Sequence, residues 1–368
     1  MGKILLFGGS FDPPHKGHRH LLTEALRQEA FDRVFLIPSY IPPHKEHRPA
    51  LSFEARRGIL TDWFGDIPGM EILDLEQKRG GRSYTADTVE AIQERFPADT
   101  LYLLIGSDMF LSFEKWNRFE ALLQHVILLV GAREPGDRPK LEAYRDFLQT
   151  HYKCKGIILC SMEAVPCASS TLRAAGGGLA ERALEHIGRE LTVERARHTM
   201  RVADYAVSLA AHSGVDPQKA YLAGLLHDCT KCYSDDWQKR YLAQNDIALS
   251  KDDLSCPQIF HQLTAPLFAN QVLGAEDKEI LSAIGCHTTG KPGMNRLGML
   301  LFFADSCEPS RSYPGVEALR RAGEQDLKAG VLLLFNHLIL HLIKKNDFLH
   351  PQTLEARNSL LKELNANG

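Results

Sequence analysis

Two groups of side chains in this chain have the types and spacing for phosphate chemistry. The first opens the chain: Gly8-Gly9-Ser10-Phe11-Asp12-Pro13-Pro14-His15-Lys16-Gly17-His18. Glycines after an apolar run let the backbone approach a ligand closely. A helix beginning near Gly17 would present free N–H groups and a positive dipole end, which suits a phosphate. His15 and His18, three apart, can both face that phosphate. Neither has to act as a base, because a charged or hydrogen-donating imidazole stabilises charge developing on a pentacoordinate phosphorus. The second group is His198, the adjacent pair His227-Asp228, His261, His287 and Asp305. Neutral imidazoles with carboxylates suit zinc, iron, manganese or cobalt ions. The His-Asp pair directly follows the apolar run Leu222-Ala223-Gly224-Leu225-Leu226, and Asp305 closes another at residues 297–304.

The elements that must carry these groups differ between the two halves. Short apolar runs at 3–7, 33–37, 101–105, 125–130 and 156–159 read as buried parallel strands. Between them, 20–28, 85–95 and 113–123 have helical periodicity, so the first half is expected to be a doubly wound α/β domain with a parallel sheet. From about residue 180 the segments 193–213, 217–230, 261–273, 277–285, 294–304 and 315–343 read as helices, and the second half is expected to be all-α. Gly176-Gly177-Gly178 makes a reasonable joint, giving expected domains 1–185 and 186–368.

The 368 residues themselves suggest two domains. With 43 Lys+Arg against 46 Asp+Glu, the net charge of -3 excludes a basic nucleic-acid coat and an acidic tail, so no nucleic-acid partner is expected. No apolar run reaches the roughly 18 residues of a membrane span. The N-terminal apolar stretch stops at Gly8-Gly9, too early for a signal-peptide core. The chain is therefore expected to be cytoplasmic, without a membrane partner, its 8 cysteines reduced. Cys229 and Cys232 form a C-x-x-C, but no second ligand pair at zinc spacing accompanies it.

The opening motif resembles the phosphate-binding signature of the nucleotidylyltransferase superfamily, and in detail is similar to the nicotinate-nucleotide adenylyltransferases. Other segments agree. Pro42-Pro43-His44-Lys45 resembles that family's segment near the triphosphate, and Ser83-Tyr84-Thr85-Ala86-Asp87-Thr88 its SYTxDT motif. Gly106-Ser107-Asp108, with Trp116 following, resembles its GxD at the end of a central strand. Val130-Gly131-Ala132-Arg133-Glu134-Pro135-Gly136 is similar to its V-x-x-R-P-G. The resemblance implies that ATP and nicotinate mononucleotide are joined with loss of pyrophosphate, Mg²⁺ bridging the leaving phosphates. Gly8, Gly9, Ser10 and Phe11 would supply backbone contacts to ATP, and His15 and His18 would hold its phosphates. Lys45 would add a point charge, and Asp108 of the Gly106 motif would contact the ribose. Thr85 and the Trp116 region would hold the nicotinate nucleotide, and Arg133 would favour its carboxylate over a carboxamide. One departure concerns the family's S-S-T-x-[IL]-R motif. Here Ala168-Ser169-Ser170-Thr171-Leu172-Arg173 aligns best on Leu172-Arg173, so Ser170 keeps a hydroxyl and Arg173 a charge for the phosphates.

The second group, in its order His, His-Asp and distant Asp, resembles the HD phosphohydrolase superfamily, in particular its YqeK-type branch of symmetrical diadenosine tetraphosphate hydrolases. His287-Thr288-Thr289-Gly290, the stretch from Ala304-Asp305 through Glu308-Pro309-Ser310-Arg311, and His350-Pro351-Gln352-Thr353 also match it. The resemblance implies a two-metal centre with His198, His227, Asp228, His261, His287 and Asp305 as ligands. Iron is the first expectation for the ions, with manganese or cobalt as alternatives. It also implies cleavage of diadenosine tetraphosphate into two ADP, with Lys231 and Arg311 as candidate phosphate contacts. His212, His337, His341 and His350 have no counterpart among the family's ligands.

Together the expectation is a bifunctional nucleotide enzyme acting on small molecules. Two alternatives stay open. The HD half could bind nucleotides as a regulatory module or act on another nucleotide, and the first half could prefer nicotinamide mononucleotide or another acceptor.

Overall fold

Continuous apolar runs become strands when both faces of a sheet are covered. Six do so here: β1 Lys3–Gly9, β2 Arg33–Pro38, β3 Met70–Ile72, β4 Thr100–Gly106, β5 Val126–Gly131 and β6 Gly156–Cys160. They form one sheet in the order β3-β2-β1-β4-β5-β6, with every pair parallel. Alternate residues feed two cores. Ile4, Leu6, Leu103 and Leu128 pack on one face, and Leu5, Phe7, Leu104 and Leu129 on the other, as the two-residue repeat of a strand requires. The computed structural model describes residues 2–14, 16–42, 49–131, 135–160 and 177–366. It comprises two compact units, Met1–Ser169 and Ser170–Gly368.

The differences from the sequence reading have local causes. β3 is three residues long with Glu71 at its centre, too short and too polar to signal itself. β1 continues through Gly8 and Gly9, which pair with Ile37 and Pro38, so the glycines end the strand instead of forming the turn after it. The single helix expected over 113–123 is broken. A 3-10 turn, Phe113–Lys115, gives way to extended backbone at Trp116. A left-handed Arg118 (φ 53°) then opens the helix Phe119–His125. Several helices lie outside the segments whose periodicity marks them, among them Phe53–Phe64 and Arg138–His151. Ser52 caps the first of these two by accepting from the Ala55 N–H.

The second unit is helical throughout its described residues. Helix Val193–Ser213 falls where its periodicity places it, with Thr192 as N-cap. The helix expected over 217–230 stops at Leu226, which leaves His227 and Asp228 in the turn that follows. The stretch 315–343 divides into Val316–Gln325 and Leu327–Lys345 at Asp326, whose carboxylate caps the second helix. By length and composition Leu327–Lys345 could cross a bilayer, although its Val331, Leu334 and Phe335 are buried in this unit. The helix Gly177–Glu190 belongs to the second unit. Arg182 Nε donates to the Leu273 carbonyl at 2.7 Å, and the His186 ring N–H donates to the Cys229 carbonyl at 2.6 Å. A division at residues 185/186 would cut this helix.

Helices Val193–Ser213 and Pro217–Leu226 approach with almost no space between them at Gly224. A Cβ there would lie 2.5 Å from the Ala203 Cα. The glycine is required by the neighbouring backbone, not by its own φ.

Candidate active sites in the two units

In the first unit, the candidate residues follow the carboxyl ends of the strands. Strand order reverses between β1 and β4, and a doubly wound sheet opens a ligand crevice at that point. Gly9 pairs with Pro38 at the ends of β1 and β2, and Gly106 pairs with Gly131 at the ends of β4 and β5. From that edge emerge Ser10 and Phe11, the segment after Tyr40, and the short helix Ser107–Phe110 that carries Asp108. Asp108 is exposed, whereas Ser107 is buried and donates to Asp137 at 3.1 Å.

The loop after β1 is clamped from below. Arg56, only 2% exposed, donates through Nη1 to the carbonyls of Ser10 and Ser39, both at 2.8 Å. Its Nε donates to Leu51 at 3.2 Å. Burial lowers the Arg56 pKa, while Asp12 and Glu76 oppose that effect. Asp12, also buried, accepts from the N–H groups of Ala50 and Leu51 at 2.8 and 2.9 Å. Phe11 sits in the left-handed region (φ 45°) with its ring wholly buried. That ring stands 5.0 Å from the His18 ring. His18 is therefore held on the first turn of helix Lys16–Gln28 by the loop it adjoins. Thr85 begins helix Thr85–Arg95. Nearby, Ser83 ties to the edge of β2 by accepting from Tyr40 N–H at 2.9 Å. Trp116 is half-buried, its ring 5.1 Å from Phe113 and packed on the sheet core. His15, Lys45, Arg133, Ser169, Ser170 and Arg173 lie outside the described residues. Sequence reasoning did not find Arg56 or Asp12 as parts of this site. Of the adjacent pair Arg56-Arg57, the sequence gives no sign which guanidinium will be buried.

In the second unit all six expected ligands converge. Nε2 of His198 lies 2.9 Å from Asp305 Oδ1 and 3.9 Å from Asp228 Oδ2. His227 Nε2 lies 3.3 Å from Asp228 Oδ2 and 3.9 Å from Asp305 Oδ1. The other Asp228 oxygen faces His261 Nε2 at 3.3 Å and His287 Nε2 at 3.8 Å. Two ligand groups result, His198-His227-Asp305 and Asp228-His261-His287, and the two Asp228 oxygens reach one group each.

These side chains fit metal ions. His227 Nε2 is buried without a hydrogen-bond partner, an arrangement that otherwise costs about 1–3 kcal/mol. His261 Nε2 and His287 Nε2 are 3.0 Å apart, and two nitrogens about 2.1 Å from one ion at a right angle are separated by about that much. The opposite ring nitrogens are held from behind, as ligating imidazoles require. His227 Nδ1 donates to Gly224 O at 2.7 Å and His287 Nδ1 to Ile284 O at 2.6 Å. His198 Nδ1 faces Glu308 Oε1 at 3.3 Å.

The electrostatics of His261, His287 and the two carboxylates agree with this arrangement, while His227 is held charged until an ion takes the place of its proton. Burial, with the His227 charge, pushes the His287 pKa down to about 4. Burial with His287 pushes His261 down as well, so both rings present lone pairs. Burial acts against a charged His227, but Asp228 and Asp305 outweigh it and raise that pKa. Against burial, the surrounding imidazoles hold Asp228 and Asp305 ionised. Hydrogen bonds from His198 and Ser310 likewise overcome burial and push Glu308 down to about 2.

Cations surround this cluster. Arg195 Nη1 donates to Asp228 Oδ2 at 2.7 Å, and Lys231 Nζ lies 3.1 Å from His261 Nδ1. Arg311 donates to the Asp305 carbonyl at 3.2 Å through Nη2. A cavity of about 490 Å³ opens onto His198, lined by Arg195, Arg201, Glu308, Ser310 and Arg311 among others. Of the cations, Lys231 and Arg311 were anticipated, while Arg195, Arg201 and the acceptor Glu308 were not. Their positions three residues either side of His198, and three beyond Asp305, were the available signal. The C-x-x-C pair takes no part. Cys229 is buried with its thiol pKa pushed up by burial, Cys232 is exposed, and neither joins a ligand group among the described residues.

Comparison with known proteins divides the chain in the same way. The cytidylyltransferase-like family profile matches residues 6–173, and the HD domain profile residues 195–310. A symmetrical bis(5'-nucleosyl)-tetraphosphatase of Halalkalibacterium halodurans is 36% identical over 187 residues, covering 50% of this chain and 97% of that protein. A nicotinate-nucleotide adenylyltransferase of Bacillus subtilis is 34% identical over 167 residues, covering 42% of this chain and 88% of that protein. A protein of Mycoplasma genitalium named as a probable nicotinate-nucleotide adenylyltransferase/Ap4A hydrolase is 24% identical over 354 residues, covering 91% and 97% of the two chains.

Proposed function

We propose that this chain, which belongs to the cytidylyltransferase-like family in its first unit and to the HD hydrolase family in its second, is a bifunctional nucleotide enzyme. The first unit transfers AMP from ATP to nicotinate mononucleotide, and the second splits diadenosine tetraphosphate into two ADP. The observation that carries the reading is the convergence of all six His and Asp ligands in the second unit, joined to a relative that matches the chain over most of its length.

In the first reaction a phosphate oxygen of the mononucleotide attacks the α-phosphorus of ATP. One P–O bond forms, the bond to the β-phosphate breaks, and pyrophosphate leaves. No covalent enzyme intermediate is needed, so the protein's work is positioning and charge neutralisation. Gly8, Gly9, Ser10 and Phe11 offer backbone to ATP. His15, His18, Lys45 and Arg173 neutralise its phosphates, and the Ser169 and Ser170 hydroxyls serve as further nucleotide contacts. Asp108 after Gly106 takes the ribose. Thr85, Trp116 and Arg133 receive the nicotinate nucleotide, the arginine favouring its carboxylate. Mg²⁺ would supply charge to the departing pyrophosphate.

In the second reaction water adds at one central phosphorus, the central P–O–P bridge breaks, and a proton is released. His198, His227 and Asp305 would hold one ion, and His261, His287 and Asp228 the other. Such ions polarise phosphate oxygens and supply a water-derived nucleophile at neutral pH. Asp228 spans both groups. The Gly224 and Ile284 carbonyls and the Glu308 carboxylate fix ring orientation. Arg195, Arg201, Arg311 and Lys231 receive the polyphosphate. We take the ions to be iron, with manganese or cobalt as substitutes, and the enzyme to act in the cytoplasm on small nucleotides.

The test is product analysis on the intact chain. ATP with nicotinate mononucleotide should give nicotinate adenine dinucleotide and pyrophosphate, faster than with nicotinamide mononucleotide. Diadenosine tetraphosphate with the metal-loaded chain should give ADP alone. ATP plus AMP, or no cleavage in the presence of iron, manganese or cobalt, would overturn the second assignment. No turnover of either mononucleotide would overturn the first.

A further inference from the structure

Resting on the hydrolase reading of the second unit, we infer that Glu308 is a positioning residue that joins the ligand His198 to the two arginines on the wall of the cavity. Glu308 follows helix Arg296–Cys307 as its C-cap residue and is 1% exposed. His227 and His287 are held from behind by backbone carbonyls, whereas His198 faces a carboxylate. Oε1 faces His198 Nδ1 at 3.3 Å and accepts from Ser310 Oγ at 2.6 Å. Oε2 accepts from Arg201 Nε at 3.1 Å and from the Ser310 N–H at 2.8 Å. Arg311 Nε lies 3.7 Å from Oε1. His198, Arg201, Glu308, Ser310 and Arg311 all line the same cavity of about 490 Å³.

The carboxylate therefore does two things with one pair of oxygens. Toward His198 it fixes the ring so that Nε2 points at Asp305 and Asp228, and it makes the imidazole a better donor to an ion. Toward the cavity it holds Arg201 by a hydrogen bond and pairs at longer range with Arg311, which the Asp305 carbonyl also holds, so two guanidinium charges stand in fixed relation to the ligand cluster. A purely space-filling acid would need one cation. This one is shared between a ligand and two cations, Arg201 on helix Val193–Ser213, 107 positions before it, and Arg311, three positions after it in the segment beyond helix Arg296–Cys307. Burial makes such a network worth most when every member is satisfied. The phosphate chain and the ion at His198 are thus placed by the same group.

Glu308→Gln tests this, because it keeps the shape and one acceptor oxygen but loses the charge. Three readouts are needed on the full chain. Mn²⁺ binding without phosphate should weaken by about 10–100-fold at one ion of the two. In excess chelator, binding of inorganic tripolyphosphate should weaken several-fold at the second unit's site, while the triphosphate site of the first unit keeps its affinity. With diadenosine tetraphosphate, KM should rise as well as kcat fall. Unchanged Mn²⁺ affinity overturns the inference. So does tighter tripolyphosphate binding, because that would make Glu308 a competitor for the arginines. If Glu308→Gln does not fold, Glu308→Asp decides. It keeps the charge but withdraws it by one methylene, and should show the same two binding losses while the adenylyltransferase rate stays at wild type. Failure of wild type to cleave diadenosine tetraphosphate would sink the hydrolase reading instead, and the two binding arms would still judge Glu308.

Discussion

Gly224→Ala is a one-methyl change at a position that is not a ligand, and the structure makes its effect calculable. The added carbon would lie 2.5 Å from Ala203 Cα and 3.0 Å from both Ala203 Cβ and N. Carbon atoms settle at about 3.5–4.0 Å, so helices Val193–Ser213 and Pro217–Leu226 must part by about 1 Å. Alanine gains about 1 kcal/mol over glycine in a helix interior, and overpacking costs about 1–3 kcal/mol. The net stability loss is then small, about 0–2 kcal/mol. The site suffers more. His198 rides on one helix, while His227 and Asp228 follow the other, and the Gly224 carbonyl itself accepts from His227 Nδ1 at 2.7 Å. A displacement of about 1 Å is enough to reduce a rate by about a hundredfold. The expected result is a melting transition within a few degrees of wild type, metal content reduced, and cleavage of diadenosine tetraphosphate down by about two orders of magnitude. Metal analysis and an ADP assay on the same preparation check it. A folded variant with full metal content and full rate would refute the claim that this contact sets the ligand spacing.

In the first unit, Arg56→Met removes the donors of the Ser10, Ser39 and Leu51 carbonyls. We expect a loss of about 2–4 kcal/mol by denaturant unfolding, and a KM for ATP that rises more than that for the mononucleotide. Equal KM changes would show that Arg56 does not place the loop. The metal-free chain should lose stability as pH falls from about 6.5 to about 4. There the unfolded state protonates His261 and His287 while the folded state, with His287 at about 4, resists. His227, raised, opposes this with one group against two, and the depressed Asp228, Asp305 and Glu308 extend the loss below pH 4. A urea midpoint that is flat or rises on acidification would contradict these directions. Adding Mn²⁺ at about 100 times its Kd should stabilise the second unit by about 2.7 kcal/mol and leave the first unit's transition in place. A shift of both transitions would place ions elsewhere.

What could be read from the residues, and what could not, follows the range of each interaction. The Gly8–His18 motif and the His-Asp pair announce chemistry through neighbours in sequence, and apolar runs such as those of β4 and β5 announce strands by composition. β3, with a charged centre and three residues, exists because β2 is there to pair with it. Trp116 and Arg118 break an apparently regular helix through backbone angles that tertiary packing selects. Arg56 and Glu308 escaped for one shared reason. Each is a charged residue whose role depends on partners far along the chain, up to 46 positions for Arg56 and 110 for Glu308. Their types alone argue for the surface.

The six imidazoles and carboxylates of the second unit come from five separate segments spread between positions 198 and 305. No two neighbouring helices can assemble the cluster without the others. A spectroscopic signal from an ion held there would therefore report the state of the whole bundle. It should vanish in step with the unfolding of the second unit, and return only once that unit's five ligand segments have come together again.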